Sequence, residues 1–262
     1  MTKLALLLGE GALAYAALQA AQRQLGAEHV VSFRLNEAMA DLPLFDLDNL
    51  PRAIEVTKTH QPTHICVAGR VDLPPARRQA MAKSMALLGN NASTDLGLEH
   101  LFGAVAQSIG AMPVGVHEIA PTLLAGEGHL FGPICKLSSG QLRRLIEATR
   151  QFGATDLGQA MIFAGVQPIA GEDVGGTDAL LKRVSLLSEE FGLPQNLCLV
   201  KTKKPQQSGV GDLPTIGKHT IELAASAGVT IIIVEAGHTL VLDQEELPAL
   251  CEHYGVSIIG ST

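Results

Sequence analysis

The sequence predicts an α/β protein with mostly parallel sheets. Short apolar runs alternate with helix-periodic segments, and 27 glycines supply the tight turns that such alternation needs. Hydrophobic residues make up 47% and charged residues 17% of 262, enough apolar material for a large core. Leu4–Leu8 reads as a strand, Ala12–Gln24 as an Ala-rich helix, His29–Leu35 as a strand, Leu50–His60 as a helix and His64–Ala68 as a strand. Helices are expected at Arg77–Leu88 and Leu96–Ile109, then a strand at Pro113–Ile119. Glycines and a proline interrupt this rhythm between Ala120 and Ser139, which places a junction there and predicts domains at 1–130 and 131–262. The second half reads as helix Gln141–Gln151, strand Gln159–Pro168, helix Thr177–Ser188, strand Leu197–Val200 and helix Leu213–Ala227. Thr230–Val234 is β-branched and apolar throughout, the mark of a strand covered on both faces. A short strand at Thr239–Leu242, a helix at Gln244–Tyr254 and a strand at Val256–Ile259 close the chain.

Composition excludes several functions. A net charge of −7 is wrong for a protein that coats nucleic acid, because that role displaces counterions with a basic surface. No apolar run approaches the roughly 18 residues that would span a bilayer. The Leu4–Leu8 stretch is short for a signal-peptide core, so a cytoplasmic protein is expected. Cys66, Cys135, Cys198 and Cys251 are scattered without C-x-x-C spacing, and Cys66 and Cys198 sit in strand-like runs that favour buried thiols. The histidines are dispersed without zinc spacing, and neither a nucleophile elbow nor a P-loop occurs.

The segment Lys201–Gly217 concentrates the chemistry. Lys201, Lys203 and Lys204 end an apolar run, a polar loop follows, and Asp212 stands before a helix-like pattern. Cations and a carboxylate at the end of a strand suit a phosphate and a metal ion together. Lysines can also form a merely solvated loop, and Asp212 can act as a helix cap ahead of Pro214. Gly175-Gly-Thr-Asp178 carries the same ambiguity between capping and a ligand role for Asp178. Glu235 and the His117–Glu118 pair end expected strands, where ligands collect in parallel sheets or where a polar residue simply terminates pairing. Gly9-Glu-Gly11 resembles half of a dinucleotide fingerprint, but Ala14 replaces the third glycine, Arg34 and Asn36 stand where an acid is expected, and a plain tight turn fits the glycines equally.

Six motifs occur in order: A-G-R-V-D-L-P at 68–74, H-E at 117–118, G-T-D-A-L-L-K-R-V at 176–184, K-T-K-K-P-Q-Q at 201–207, D-L-P-T-I-G at 212–217 and E-A-G at 235–237. Together they resemble the UDP-2,3-diacylglucosamine pyrophosphatase family of lipid A biosynthesis, in its magnesium-dependent form rather than the calcineurin-like one. The resemblance implies a Rossmann-like N-terminal domain and a separate C-terminal catalytic α/β domain. It also implies Mg²⁺-dependent hydrolysis of a lipid-linked UDP-sugar to UMP and 2,3-diacylglucosamine 1-phosphate (lipid X), with water attacking the α-phosphorus. Asp212 matches the family's essential aspartate. Thr177, Asp178, Lys201, Lys204 and Gln207 fall on motif positions for substrate or metal, and Gly11 lies in the glycine turn. Asp178 and Glu235 are candidates to complete a metal shell around Asp212. The chain departs from the family pattern at Glu10, where a glycine is usual, at Ala14, where a proline is usual, at Arg70, where an asparagine is usual, and at Leu73, where a basic residue is usual. Membrane contact is expected to be peripheral, at the inner face of the inner membrane, and a homodimer stays open. Two alternatives also stay open: a nucleotide-dependent Rossmann enzyme, and a non-catalytic lipid- or nucleotide-binding relative.

Overall fold

The computed structural model describes residues 2–71, 76, 79–80, 83, 98–205 and 213–262. They form two compact α/β units, which change over between Thr122 and Leu123. The helix expected at Arg77–Leu88 lies largely outside the described residues.

The first unit is built on a parallel sheet of β1 (Leu4–Leu8), β2 (Val30–Arg34), β3 (His64–Ala68) and β4 (Met112–Pro113), in the order β2-β1-β3-β4. Every residue of β1 is buried, as a central strand covered on both faces requires. Helix α1 (Ala12–Leu25) buries Ala14, Ala17 and Ala21, small side chains that let its backbone lie close to the sheet. Helix α2 (Leu50–Thr59) starts where the Asn49 side chain accepts from the Arg52 amide, and it buries Leu50, Ala53, Ile54 and Thr57. Helix α3 (Leu98–Ile109) adds Leu101, Val105, Ala106 and Ile109 to the same core.

The strand expected at Pro113–Ile119 is not formed. Pairing with β3 stops at Pro113, and Gly115 opens a short helix, α4 (Val116–Ile119). The Gly115 amide donates to the Glu118 carboxylate at 2.8 Å, so Glu118 serves a helix start rather than a strand end.

Where β1 and β3 end, two turns meet. The Glu10 amide donates to the Arg70 carbonyl at 2.9 Å, and the Arg70 amide returns a bond to the Glu10 carbonyl at 2.8 Å. Their side chains pair at 3.0 Å. A Cβ at Gly9 would press into the Arg70 carbonyl, and one at Gly69 would lie 2.7 Å from the Glu10 carbonyl oxygen. These glycines are therefore explained by the close approach of two turns.

The second unit holds a mixed sheet of β5 (Gly128–Phe131), β6 (Ala160–Ala164), β7 (Gln167–Gly171), β8 (Leu197–Lys201), β10 (Val229–Glu235) and β12 (Ser257–Ser261). Its order is β5-β12-β10-β8-β6-β7, with β8, β10 and β12 parallel and the other pairings antiparallel. Side chains alternate between two buried faces. Leu199, Ile232 and Val234 pack toward α6 (Gly176–Phe191), α7 (Lys218–Ser226) and α8 (Leu247–Tyr254), whereas Cys198, Val200 and Ile233 meet Leu145 and Ile146 of α5 (Ser139–Gly153). The β-branched run of β10 is thus covered on both faces.

Two expectations are corrected here. The strand expected at Gln159–Pro168 is a hairpin, because Gly165 takes a left-handed φ of 60° and turns β6 back as β7. The helix expected at Leu213–Ala227 begins only at Lys218. Thr215–Ile216 is instead a two-residue strand, β9, parallel to β11 (Leu240–Val241), and Ile216 is fully buried. Gly217 holds the N-cap position, and the Asp243 carboxylate, from far along the chain, accepts from the Lys218 amide at 3.0 Å. Among the described residues no helix begins at Leu213.

Among the described residues no helix is long and apolar enough to cross a membrane. Burial, with the Glu118 charge second, pushes the Cys66 thiol from 9.0 up to about 12. Burial likewise raises Cys198, and it raises Cys251 to about 11.

Gly9→Ala should lower stability by about 1–3 kcal/mol, measured by urea unfolding, since the turns must separate to admit a methyl group. The Cys66 thiol ionises earlier in the unfolded chain than in the folded one, so its stabilising effect is complete below pH 9 and is lost as pH rises toward 12. Cys66→Ala should accordingly lose less stability than the parent protein between about pH 8 and about pH 10.5, whatever its starting stability.

Candidate active site

One edge of the second unit's sheet gathers the polar residues. The carboxyl ends of β7, β8, β10 and β12 lie there beside the amino end of β6, with Val234 opposite Lys201, Glu235 opposite Ser261 and Met161 opposite Gly171. Lys201, Thr202, Glu172 and Glu235 are all buried at this edge. Buried charge needs compensation, and each of these carboxylates has it.

Glu235 ends β10. Its Oε1 accepts from Arg150 Nη2 at 2.7 Å and Nε at 3.2 Å, a fork delivered by the last turn of α5. Its Oε2 accepts from the Lys203 amide at 2.8 Å. The neighbouring Thr202 amide donates to the Gln159 carbonyl at 3.0 Å. The Gln159 amide donates to Glu172 Oε2 at 2.6 Å, and the Thr177 hydroxyl donates to Glu172 Oε1 at 2.9 Å. A continuous hydrogen-bonded path therefore runs from Arg150 to the first turn of α6.

Of the sequence-predicted residues, Glu235 and Thr177 lie on this path, and Lys201, Lys204 and Asp178 lie next to its members in the chain. Lys201 Nζ donates to the Thr215 carbonyl at 2.9 Å, tying the end of β8 to β9. Lys204 Nζ lies 3.0 Å from Asp156 Oδ1. Thr177 and Asp178 stand inside the first turn of α6, whose N-cap is Gly175, so neither caps the helix. Asp178 is exposed, with an oxygen 3.6 Å from His219 Nε2 on α7. Asp212 and Gln207 lie outside the described residues. Gly11 belongs to the first unit, at the N-cap of α1 with φ of 95° and open space where a side chain would stand.

Arg150, Asp156, Glu172 and His219 are site residues that the sequence reading passed over. Arg150 and Asp156 flank the end of a helix, and their partners lie 85 and 48 positions away. Glu172 had a local signal, an acid between a strand end and the Gly175–Gly176 turn. Two polar atoms at this edge, the Thr202 hydroxyl and the Gln159 side-chain oxygen, are buried with no hydrogen-bond partner among the described residues. Among those residues no three His, Cys, Asp or Glu side chains gather as a metal shell would require, and both Glu235 oxygens already accept hydrogen bonds.

The arrangement holds cations in fixed directions beside carboxylates at the carboxyl ends of parallel strands, which is equipment for neutralising a polyanion. Residues 136–259 match the model of the LpxI C-terminal domain. That match contains each of the described residues on the path, from Arg150 through Glu172 and Thr177 to Lys201, Lys203 and Glu235. The UDP-2,3-diacylglucosamine pyrophosphatase LpxI of Caulobacter vibrioides is 34% identical over 151 residues, which cover 56% of this chain and 54% of the relative. The chain thus spans about half the length of the curated relative it matches.

Removing one link on the path tests its energetics. Thr177→Val should leave Glu172 Oε1 without its hydroxyl donor and lower stability by about 1–3 kcal/mol in urea unfolding, with secondary structure retained by circular dichroism.

Proposed function

We propose that the protein is a hydrolase of lipid A biosynthesis that cleaves the pyrophosphate of UDP-2,3-diacylglucosamine, giving UMP and 2,3-diacylglucosamine 1-phosphate. The observation that carries this reading is that the region similar to the LpxI C-terminal domain is also the region where Lys201, Lys203 and Lys204 leave a strand end. Water adds its oxygen to the α-phosphorus, the bond from that phosphorus to the bridging oxygen breaks, and the proton released by the water passes to solvent. Charge builds on the phosphoryl oxygens in this step, so fixed cations favour it more than mobile ones would.

In this reading Lys201 and Lys204 neutralise phosphate oxygens as point charges, and Thr177 and Gln207 contribute polar contacts to substrate. Asp212 carries the essential carboxylate that the resemblance implies. We include Mg²⁺ in the proposal for its ability to neutralise charge on a pyrophosphate. A shell complete in the protein alone is not required, because Mg²⁺ is commonly held by one or two carboxylates together with substrate phosphates and water. Asp178, exposed at the start of α6 with His219 3.6 Å away, is the described carboxylate that we assign to join Asp212 in that role. The two acyl chains of such a substrate belong to a membrane, so we place the protein at the inner face of the inner membrane in peripheral contact.

Incubation with UDP-2,3-diacylglucosamine and Mg²⁺ should release UMP, detectable by chromatography. Chelation should stop release, and readdition of Mg²⁺ should restore it. Asp212→Ala should reduce turnover by at least about 1000-fold while thermal unfolding stays close to the parent's. Release of UMP at the parent rate by Asp212→Ala would remove that residue from the mechanism.

A further inference from the structure

Glu235 appears in the sequence as a possible second metal-binding carboxylate, and the structure gives it another task. We infer that Glu235 is a positioning residue: with Arg150 it fixes the Lys203 backbone, and thereby the directions in which the lysine segment presents its ammonium groups. This assignment rests on the proposed activity and adds to it a residue that acts through the chain rather than on the substrate.

Three observations carry it. A carboxylate offers about four lone-pair positions, and at Glu235 the Arg150 fork and the Lys203 amide engage three. The side chain is only 7% exposed, so its charge depends on those donors rather than on water. The Lys203 amide stands beyond the last ladder pair of β8, where Val234 faces Lys201, and the Glu235 side chain supplies the acceptor that the ladder no longer provides.

The consequence extends along the segment in both directions. Lys201 reaches Thr215 and Lys204 reaches Asp156, and the backbone between them is bonded at Thr202 to Gln159 and at Lys203 to Glu235. Releasing the Lys203 amide frees the middle of that span. Lys204 then loses the fixed base from which its side chain extends, whereas Lys201 stays in the ladder of β8. A carboxamide in place of the carboxylate keeps the shape but turns an NH₂ group toward one of the donors, so Glu235→Gln breaks one side of the clamp at nearly constant volume.

The experiment compares the parent protein with Glu235→Gln in steady-state hydrolysis of UDP-2,3-diacylglucosamine at varied Mg²⁺, and follows the Lys203 amide resonance by ¹H–¹⁵N spectroscopy. Positioning predicts a fall in kcat of about 10- to 100-fold, as for a sub-ångström to ångström displacement of a reacting group. It also predicts an unchanged Mg²⁺ concentration at half-maximal rate and an upfield move of the Lys203 amide proton as its charge-assisted bond weakens. Arg150→Lys, which keeps the charge and loses the fork, should show the same signature in smaller measure, and it takes over the test if Glu235→Gln fails to fold. A raised Mg²⁺ requirement would make Glu235 a metal ligand and overturn the inference. So would an unmoved Lys203 resonance or an unchanged kcat. Failure of the parent protein to release UMP counts against the proposed activity alone, and the Lys203 resonance then decides the clamp.

Discussion

A carboxylate taken out of water must be matched by donors that stay with it, and the Glu235 side chain shows how much structure such a requirement can organise. It stands at the end of a central parallel strand and draws the end of α5 to it through Arg150. It also draws in the first amide past the ladder of β8. Sheet, helix and loop are thereby joined at one charged point. Glu172 repeats the arrangement nearer the sheet edge, where it joins the start of β6 to the first turn of α6. Neither joint is a general adhesive. Each fixes a backbone segment just outside a strand ladder, where amides lose their partners.

Much of this architecture was legible because it is local. Leu4–Leu8 and His64–Ala68 are strands over the range that their apolar runs define, and the β-branched run of β10 is buried on both faces. The lysine cluster was equally plain as a pattern, three cations in four positions after an apolar run. What escaped the sequence was set at a distance. The stripe of Leu213, Ile216 and Thr220 has helical spacing, yet Thr215–Ile216 pairs with Leu240–Val241 and the helix waits for Asp243 to cap it. The hairpin at Gly165 was hidden because two apolar strands and a two-residue turn read as one long run. Arg150 looked like an ordinary basic residue in the last turn of a helix, and only the fold brings it to Glu235.

The glycine turn after β1 shows how one pattern can have two physical causes. Glycines are needed where a backbone must approach a phosphate, and equally where it must approach another backbone. Here the second cause is visible: Gly9 and Gly69 let the turns of β1 and β3 exchange two hydrogen bonds. Glu10 and Arg70, two of the departures from the resembling family's pattern, meet across that junction at 3.0 Å. Two unusual residues 60 positions apart are therefore one feature, an ion pair laid over a backbone bridge, and the Glu10 amide is already engaged with Arg70.

The same distinction, between a charge that is present and a charge that is held, bears on the lysines. The chain carries a net charge of −7, so its far field does not attract an anionic substrate. Attraction at the strand end must come from local cations, and local cations on long side chains lose their advantage to entropy and screening unless something orders them. Lys201 is ordered by burial and the Thr215 carbonyl, Lys204 by Asp156, and the backbone between them by Glu235 and Gln159. The ordering is completed during folding, before any ligand arrives. A phosphoryl group that reached this strand end would meet dipoles and charges needing little reorganisation, which is the condition under which electrostatics contributes most to a transition state.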